Sequence, residues 1–204
     1  MSSQKYSVYA RKLTIEYYDE YAEKFRKDTE NLDISLMQDK FLSFLSIGDY
    51  VLDFGCGVGR DAKYFLDHGI QVDMVDASKS MCAIAHNKTG KMPFCVMFQK
   101  FSAVDKYNGI WACASLLHLS SKELVTVLKK LSRSLKKDGY LYLSFKYGHF
   151  EGIRDGRFFL DMNEESLRKI VYQVDSFVVR DMFVTSDVRP YRKQQWLNVF
   201  LQKA

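Results

Sequence analysis

The stretch that most constrains this chain is Val51-Leu52-Asp53-Phe54-Gly55-Cys56-Gly57-Val58-Gly59-Arg60-Asp61. A short apolar run ends on an acidic residue, passes through glycines at alternate positions and enters an amphipathic segment. This is the sequence form of a strand, a tight loop and a helix whose first amides face a ligand. Glycine suits such a loop because a side chain would hold the backbone away from the ligand and resist positive φ. The spacing is G-x-G-x-G and not the G-x-G-x-x-G of dinucleotide binders, so another adenosine ligand is expected.

A loop of this kind needs a parallel sheet to carry it, and the text around it alternates accordingly. Strands are expected at Tyr50–Phe54, Gln71–Val75, Phe94–Phe98, Gly109–Ala114 and Tyr140–Phe145. Helices are expected between them at Arg60–His68, Ser80–Asn87 and Lys122–Leu135, the last capped by Ser120 or Ser121 and stopped by Asp138-Gly139. Upstream, Tyr9, Leu13, Tyr17, Tyr21 and Phe25 recur at fours and predict one helix over Val8–Lys27, with a second at Ile34–Leu45. Downstream, residues 146–157 read as a loop at a strand's carboxyl edge. Asn163 then caps a helix, and strands follow at Ser176–Thr185 and Gln195–Gln202. The fold class is therefore α/β, a Rossmann-like doubly wound sheet with helices on both faces. One domain is expected over 1–204, with 1–48 a helical cap on a 49–204 core.

Composition narrows the setting. The formal charge of +5 is spread along the chain and reads as a solvated surface, so no nucleic-acid partner is expected. Cys56, Cys82, Cys95 and Cys113 lie far apart without zinc or disulfide spacing, so no metal is expected and the compartment is reducing. With no apolar signal core and no run of membrane-spanning length, the expected location is cytoplasmic, without a membrane partner.

In an open parallel sheet, ligands bind beyond the carboxyl ends of the strands, where strand order reverses. Asp76 ends the second strand about twenty residues past the first glycine, where a carboxylate can accept from both hydroxyls of a ribose.

With these positions in hand, the chain resembles the class I S-adenosylmethionine-dependent methyltransferases. The glycine stretch is similar to their first motif, and Val75-Asp76-Ala77-Ser78-Lys79-Ser80-Met81 to their second. Residues 107–119 resemble their fourth motif, and Leu135-Lys136-Lys137-Asp138-Gly139-Tyr140 the turn before their fifth strand. The resemblance extends to the small-molecule branch, which includes tellurite-resistance-type enzymes, and it implies seven strands with an antiparallel final one. It implies S-adenosylmethionine as cofactor. Gly55, Cys56 and Gly57 would run beneath it, Asp53 would hold the loop or the amino group, and Asp76 would take the ribose. Ala77, Met81 and Phe101 would flank the adenine, Ala114 and Ser115 would meet the methionyl ammonium, and Tyr18, Tyr21 or Phe25 would close over it. The family's acidic residue near Lys100 is absent, and Asn108 and Asp138 stand where aspartate and proline are frequent.

The expected reaction is in-line methyl transfer to a small metabolite, and a base is needed only if the acceptor must lose a proton. His118 is the candidate base, equally a residue that merely shapes the loop, with His149 and Tyr147 behind it. Lys146, Arg154 and Arg157, with Arg189 and Arg192, would surround the pocket mouth and suit an anionic acceptor. Two other readings share these residues: a nucleic-acid or protein methyltransferase, and a cofactor-binding regulatory protein without turnover. Against a base-modifying DNA enzyme, Ala114-Ser115-Leu116-Leu117 stands where an Asn/Asp-Pro-Pro-aromatic tetrapeptide would follow the fourth strand.

Overall fold

The structure, a computed structural model, describes residues 3–204, with side chains from Tyr6 onward. Three helices precede the sheet: α1 (Ser3–Glu20), α2 (Ala22–Thr29) and α3 (Ser35–Leu42). The alternation then runs β1 (Tyr50–Phe54), α4 (Arg60–Asp67), β2 (Gln71–Asp76), α5 (Lys79–Thr89), β3 (Phe94–Cys95), β4 (Tyr107–Ala112), α6 (Ser121–Ser134) and β5 (Leu135–Lys146). A small hairpin of β6 (Glu151–Arg154) and β7 (Arg157–Leu160) leads into α7 (Glu164–Val174), β8 (Phe177–Ser186) and β9 (Gln195–Lys203).

The main sheet has seven strands in the order β3-β2-β1-β4-β5-β9-β8. Strands β1 to β5 pair in parallel, and β9 runs antiparallel between β5 and β8. This is the doubly wound, mostly parallel sheet that the motifs imply. The chain leaves β1 towards β3 on one side and returns to β4 on the other, so a crevice opens above β1 and β4.

Strand alternation divides the apolar residues between two layers. Leu52, Phe54, Ile110, Leu141 and Leu143 pack with Leu128 and Leu131 of α6 and Leu167 of α7. Val51, Trp111, Tyr142 and Phe200 pack on the other face against Phe41 of α3 and Phe65 of α4. On β5 this second face continues past Tyr142 to Ser144 and Lys146, so its apolar floor turns polar as it reaches the crevice.

The helix ends follow local chemistry. Ser120, rather than Ser121, caps α6 in a reciprocal box with Glu123, and Asn163 does the same for α7 with Ser166. Helix α5 stops at Gly90 in the left-handed conformation.

Four expectations need correction. The single helix over Val8–Lys27 is two, because Tyr21 leaves helical geometry at φ −102°, ψ 19° while Asp19 is drawn to the start of α5. The third strand is only Phe94–Cys95, and Phe98–Lys100 winds into a 3-10 turn. Asp138-Gly139 bends β5 instead of stopping α6, since the strand already begins at Leu135. The loop after residue 146 contains β6 and β7, turned by Asp155 and Gly156 at φ 52° and 73°. That Asp-Gly pair between apolar runs is a hairpin signal that was present in the sequence.

Candidate active site

The glycine loop closes over the end of β1 through backbone contacts. Gly55 lies at φ 90°, and a Cβ there would collide with Ser115, whose hydroxyl donates to the Phe54 carbonyl at 2.6 Å. The ends of β1 and β4 are thus sewn together at a point only glycine can occupy. Gly59, at φ 76°, would meet the Cα of Ala85 at 3.0 Å, so it lets α4 pack on α5.

Asp76 organises the next turn. Its carboxylate accepts from the Gly57 amide and the Ser78 amide, each at 2.9 Å, which locks the loop to the end of β2. Burial pushes its pKa up, against the pull of those amides. Ser78 caps α5 by accepting from the Met81 amide at 3.1 Å. Asp53 lies under the loop with Oδ2 buried and without a partner. Burial, and then the charge of Asp61, hold its pKa well above the carboxylate range. A glycine cradle beside a strand-end carboxylate on the cavity wall, with an orphaned carboxylate oxygen behind the loop, fits a nucleoside ligand such as S-adenosylmethionine.

The cavity above these groups has a volume of about 480 Å³, within the ordinary range for a small-ligand site. Gly55, Cys56, Gly57, Asp76, Ala77 and Met81 line one part of it, and so do Ala114, Ser115 and Tyr18. Ala114 is held at φ 49°, a strained conformation for a residue with a side chain, by a hydrogen bond that its amide donates to the Ser144 hydroxyl at 2.8 Å.

Other expected residues fall elsewhere. Phe101 is 8% exposed in the core against Phe54, and the turn before it brings Met97, Phe98 and Gln99 to the wall instead. Tyr21 is 40% exposed and packs against Tyr17 with the rings tilted by 39°, whereas Phe25 reaches the wall near Gly57. Asp53 sits behind the loop and not on the wall.

The side of the cavity nearest His118 is roofed by α1, through Arg11, Thr14, Ile15 and Tyr18. Tyr18 and His118 meet at 2.8 Å, and His118 Nδ1 is 2.6 Å from the Phe158 carbonyl. A carbonyl only accepts, so Nδ1 carries the proton, Nε2 accepts, and the Tyr18 hydroxyl donates. Burial pushes the His118 pKa down to about 3, helped by the charges of Arg157 and Lys146, so its imidazole is neutral at physiological pH. Its one basic nitrogen is already taken by Tyr18. His118 is placed to orient Tyr18, the shaping role, more than to collect a proton. His149 and Tyr147 do not line the cavity, and Tyr147 donates instead to Glu164 at 2.9 Å.

The basic residues divide in two. Arg154 is off the wall and paired with Asp161, and Arg189 lines the cavity but is paired with Asp187 at 2.7 Å. Lys146, Arg157 and the rim residue Arg192 line it with no ion-pair partner among the described residues. Burial and the neighbouring arginines push Lys146 down to about 8.

A buried cluster behind the glycine loop carries no motif of its own. Asp61 accepts from Arg60 at 2.7 Å, Gln38 at 2.9 Å and Trp111 at 2.8 Å, joining α3, α4 and β4 behind the glycine loop. Its only sequence signal was its place at the end of the glycine stretch. No helix among the described residues is long and apolar enough to cross a membrane, and none of their His, Cys, Asp and Glu side chains gather as a metal site.

Residues 51–139 match a family described as a methyltransferase domain. Among curated proteins, N-terminal Xaa-Pro-Lys N-methyltransferase 1 of Xenopus tropicalis is 32% identical over 102 residues, covering 46% of each chain. The chain spans about half the length of the curated relatives it matches, 48% and 46% for the first two. Among solved structures, the 1,6-didemethyltoxoflavin-N1-methyltransferase of Burkholderia thailandensis superposes with a TM-score of 0.82 at 18% identity, covering 97% of this chain and 90% of that one. A TehB-like SAM-dependent methyltransferase from Corynebacterium glutamicum does so with a TM-score of 0.72 at 18% identity, covering 92% and 98%. At that identity the likeness speaks to the fold, which is that of the class I S-adenosylmethionine-dependent methyltransferases.

Proposed function

We propose that this chain is a class I methyltransferase that transfers a methyl group from S-adenosylmethionine to a small, anionic metabolite, a reading supported by its fold and by the methyltransferase-domain match over residues 51–139. The observation that carries the reading is the Gly55–Gly57 cradle beside Asp76, whose carboxylate is hydrogen-bonded to the loop and lies on the cavity wall. Bound there, S-adenosylmethionine would supply an activated sulfonium methyl group. Asp76 would hold the ribose hydroxyls, Asp53 would support the loop from behind, and Met81 and Phe98 would enclose the base. Helix α1 would keep water from the reacting atoms, and the fixed Tyr18 hydroxyl would help align the acceptor. Helices α1 to α3 would act as a cap on the core that begins at β1. Four free cysteines support a reducing, cytoplasmic setting.

A peptide α-amino group is the second reading, because two curated relatives are named as N-terminal protein methyltransferases. Unpaired Lys146, Arg157 and Arg192 on the cavity wall disfavour it, since they repel a cationic amine. The test is calorimetry with S-adenosylmethionine, followed by a radiolabelled methyl-transfer assay against a metabolite extract and a peptide pool. Binding with label passing into a small anionic product is expected. Tight binding without any labelled product would sink the catalytic reading in favour of a regulatory one.

A further inference from the structure

Phe159 is ringed by positive charge. The Lys146 ammonium stands 3.9 Å from its ring centroid, and the guanidinium carbons of Arg154 and Arg157 at 4.9 and 5.0 Å. One of the three is neutralised inside the protein, because Arg154 binds Asp161 through contacts of 2.9 and 3.1 Å. The other two have no carboxylate at ion-pair distance among the described residues. Arg157 Nε is buried without a partner, Nη1 reaches only the Tyr18 hydroxyl at 3.4 Å, and the guanidinium lies 4.2 Å from the Tyr17 ring centroid. Aromatic faces offset part of the cost of enclosing such charges. They do not replace a counter-charge, and two like charges held together off bulk water are unfavourable until an anion joins them. Burial, and then the charges of Arg154 and Arg157, lower the pKa of Lys146.

We propose that Lys146 and Arg157 form a seat for one anionic group of the methyl acceptor, a carboxylate or a phosphate, with Phe159 as its apolar floor and Arg154 excluded. A planar guanidinium fork beside a point charge suits either group. Lys146 lies opposite Trp196 of β9, and His118 is 5.0 Å from the Phe159 ring, so the seat belongs to the acceptor side of the cavity. That the ligand is an acceptor rests on the methyl-transfer reading; that an anion binds there does not. The competing occupant is the cofactor's own carboxylate.

Trp196 lines the cavity, while Trp111 is fully buried, so intrinsic fluorescence can report on the seat. The protein is titrated with inorganic phosphate and with benzoate at constant ionic strength, with and without S-adenosylhomocysteine. A saturable response to at least one anion is expected, about tenfold or more weaker in K146M and in R157Q, and partly restored in R157K. The exposed control K193M should respond as the wild type does. A preference for phosphate or for benzoate names the group. The proposal falls if the wild type shows no saturable response, or if K146M and R157Q bind the anion as well as the wild type. It also falls if R157Q loses affinity for S-adenosylhomocysteine by about tenfold while anions bind only in its absence, which would give these cations to the cofactor. Should the wild type fail to bind S-adenosylhomocysteine, the methyl-transfer reading fails, and the titration without it still decides the seat.

Discussion

Asp76 does two things with one carboxylate: it fixes the Gly57 and Ser78 amides, and it remains on the cavity wall to meet a ligand. Asp76→Asn weakens those charge-assisted contacts, each worth about 1.5–3 kcal/mol, so affinity for S-adenosylhomocysteine should fall about tenfold to a hundredfold by calorimetry. His118 makes a different prediction. Its ordinary value of 6.5 is lowered to about 3, so on acidification the unfolded chain takes up a proton that the folded chain refuses. This contribution to stability is therefore complete above the unfolded value and is lost as the pH falls from about 6.5 towards 3. Urea unfolding across that window should show a shallower acid slope for His118→Gln than for the wild type. An unchanged slope would mean that His118 is not held neutral. The place of Gly55 in the loop and of Asp76 at a strand end was legible from spacing, whereas the hold of Asp76 on the Gly57 and Ser78 amides was not. Phe101 was not, because a 3-10 turn replaced the expected strand and put Phe98 on the wall.

Helix α1 is fastened to three separate elements by side chains that no periodicity marks. Ser7 donates to Glu123 at the start of α6, at 2.9 Å. Thr14 accepts from the Phe158 amide of β7 at 3.0 Å. Asp19 accepts from the Ser78 hydroxyl and the Ser80 amide at the start of α5, at 2.6 and 3.0 Å. The tyrosine stripe announced a packed helix, but the polar fasteners decide which way it lies. Thr14→Val keeps the shape and strands the Phe158 amide, which should cost about 1–3 kcal/mol in urea unfolding and increase hydrogen exchange in β7. A loss within about 0.3 kcal/mol would show that water replaces the hydroxyl. The β6–β7 hairpin carries Arg157 and Phe159 to the site, and its Asp155-Gly156 turn is the local signal that a loop reading passed over.

Across the molecule, the crevice depends on how the cap, the glycine-loop helix and the sheet are joined, and Asp61 is the joint. It holds Gln38 of α3, Arg60 of α4 and Trp111 of β4 with little exposure to water. Asp61→Leu removes the partner of a mostly buried guanidinium, and a loss of about 3–5 kcal/mol in chemical denaturation is expected. Under about 1 kcal/mol would mean that Arg60 turns out to solvent.

Sequence by itself determined the sheet, the glycine cradle, Asp76 and the family resemblance, because these depend on local needs: strand alternation, positive φ and a carboxylate at a strand end. Tertiary structure alone decided how the basic residues divide. Lys146, Arg154 and Arg157 look alike in the sequence, yet Asp161 neutralises one and Phe159 gathers all three around one ring. It also decided that His118 is neutral and spoken for, since the Phe158 carbonyl and the Tyr18 hydroxyl come from distant parts of the chain. Charge pairing and burial are properties of neighbours in space, and a linear pattern does not contain them.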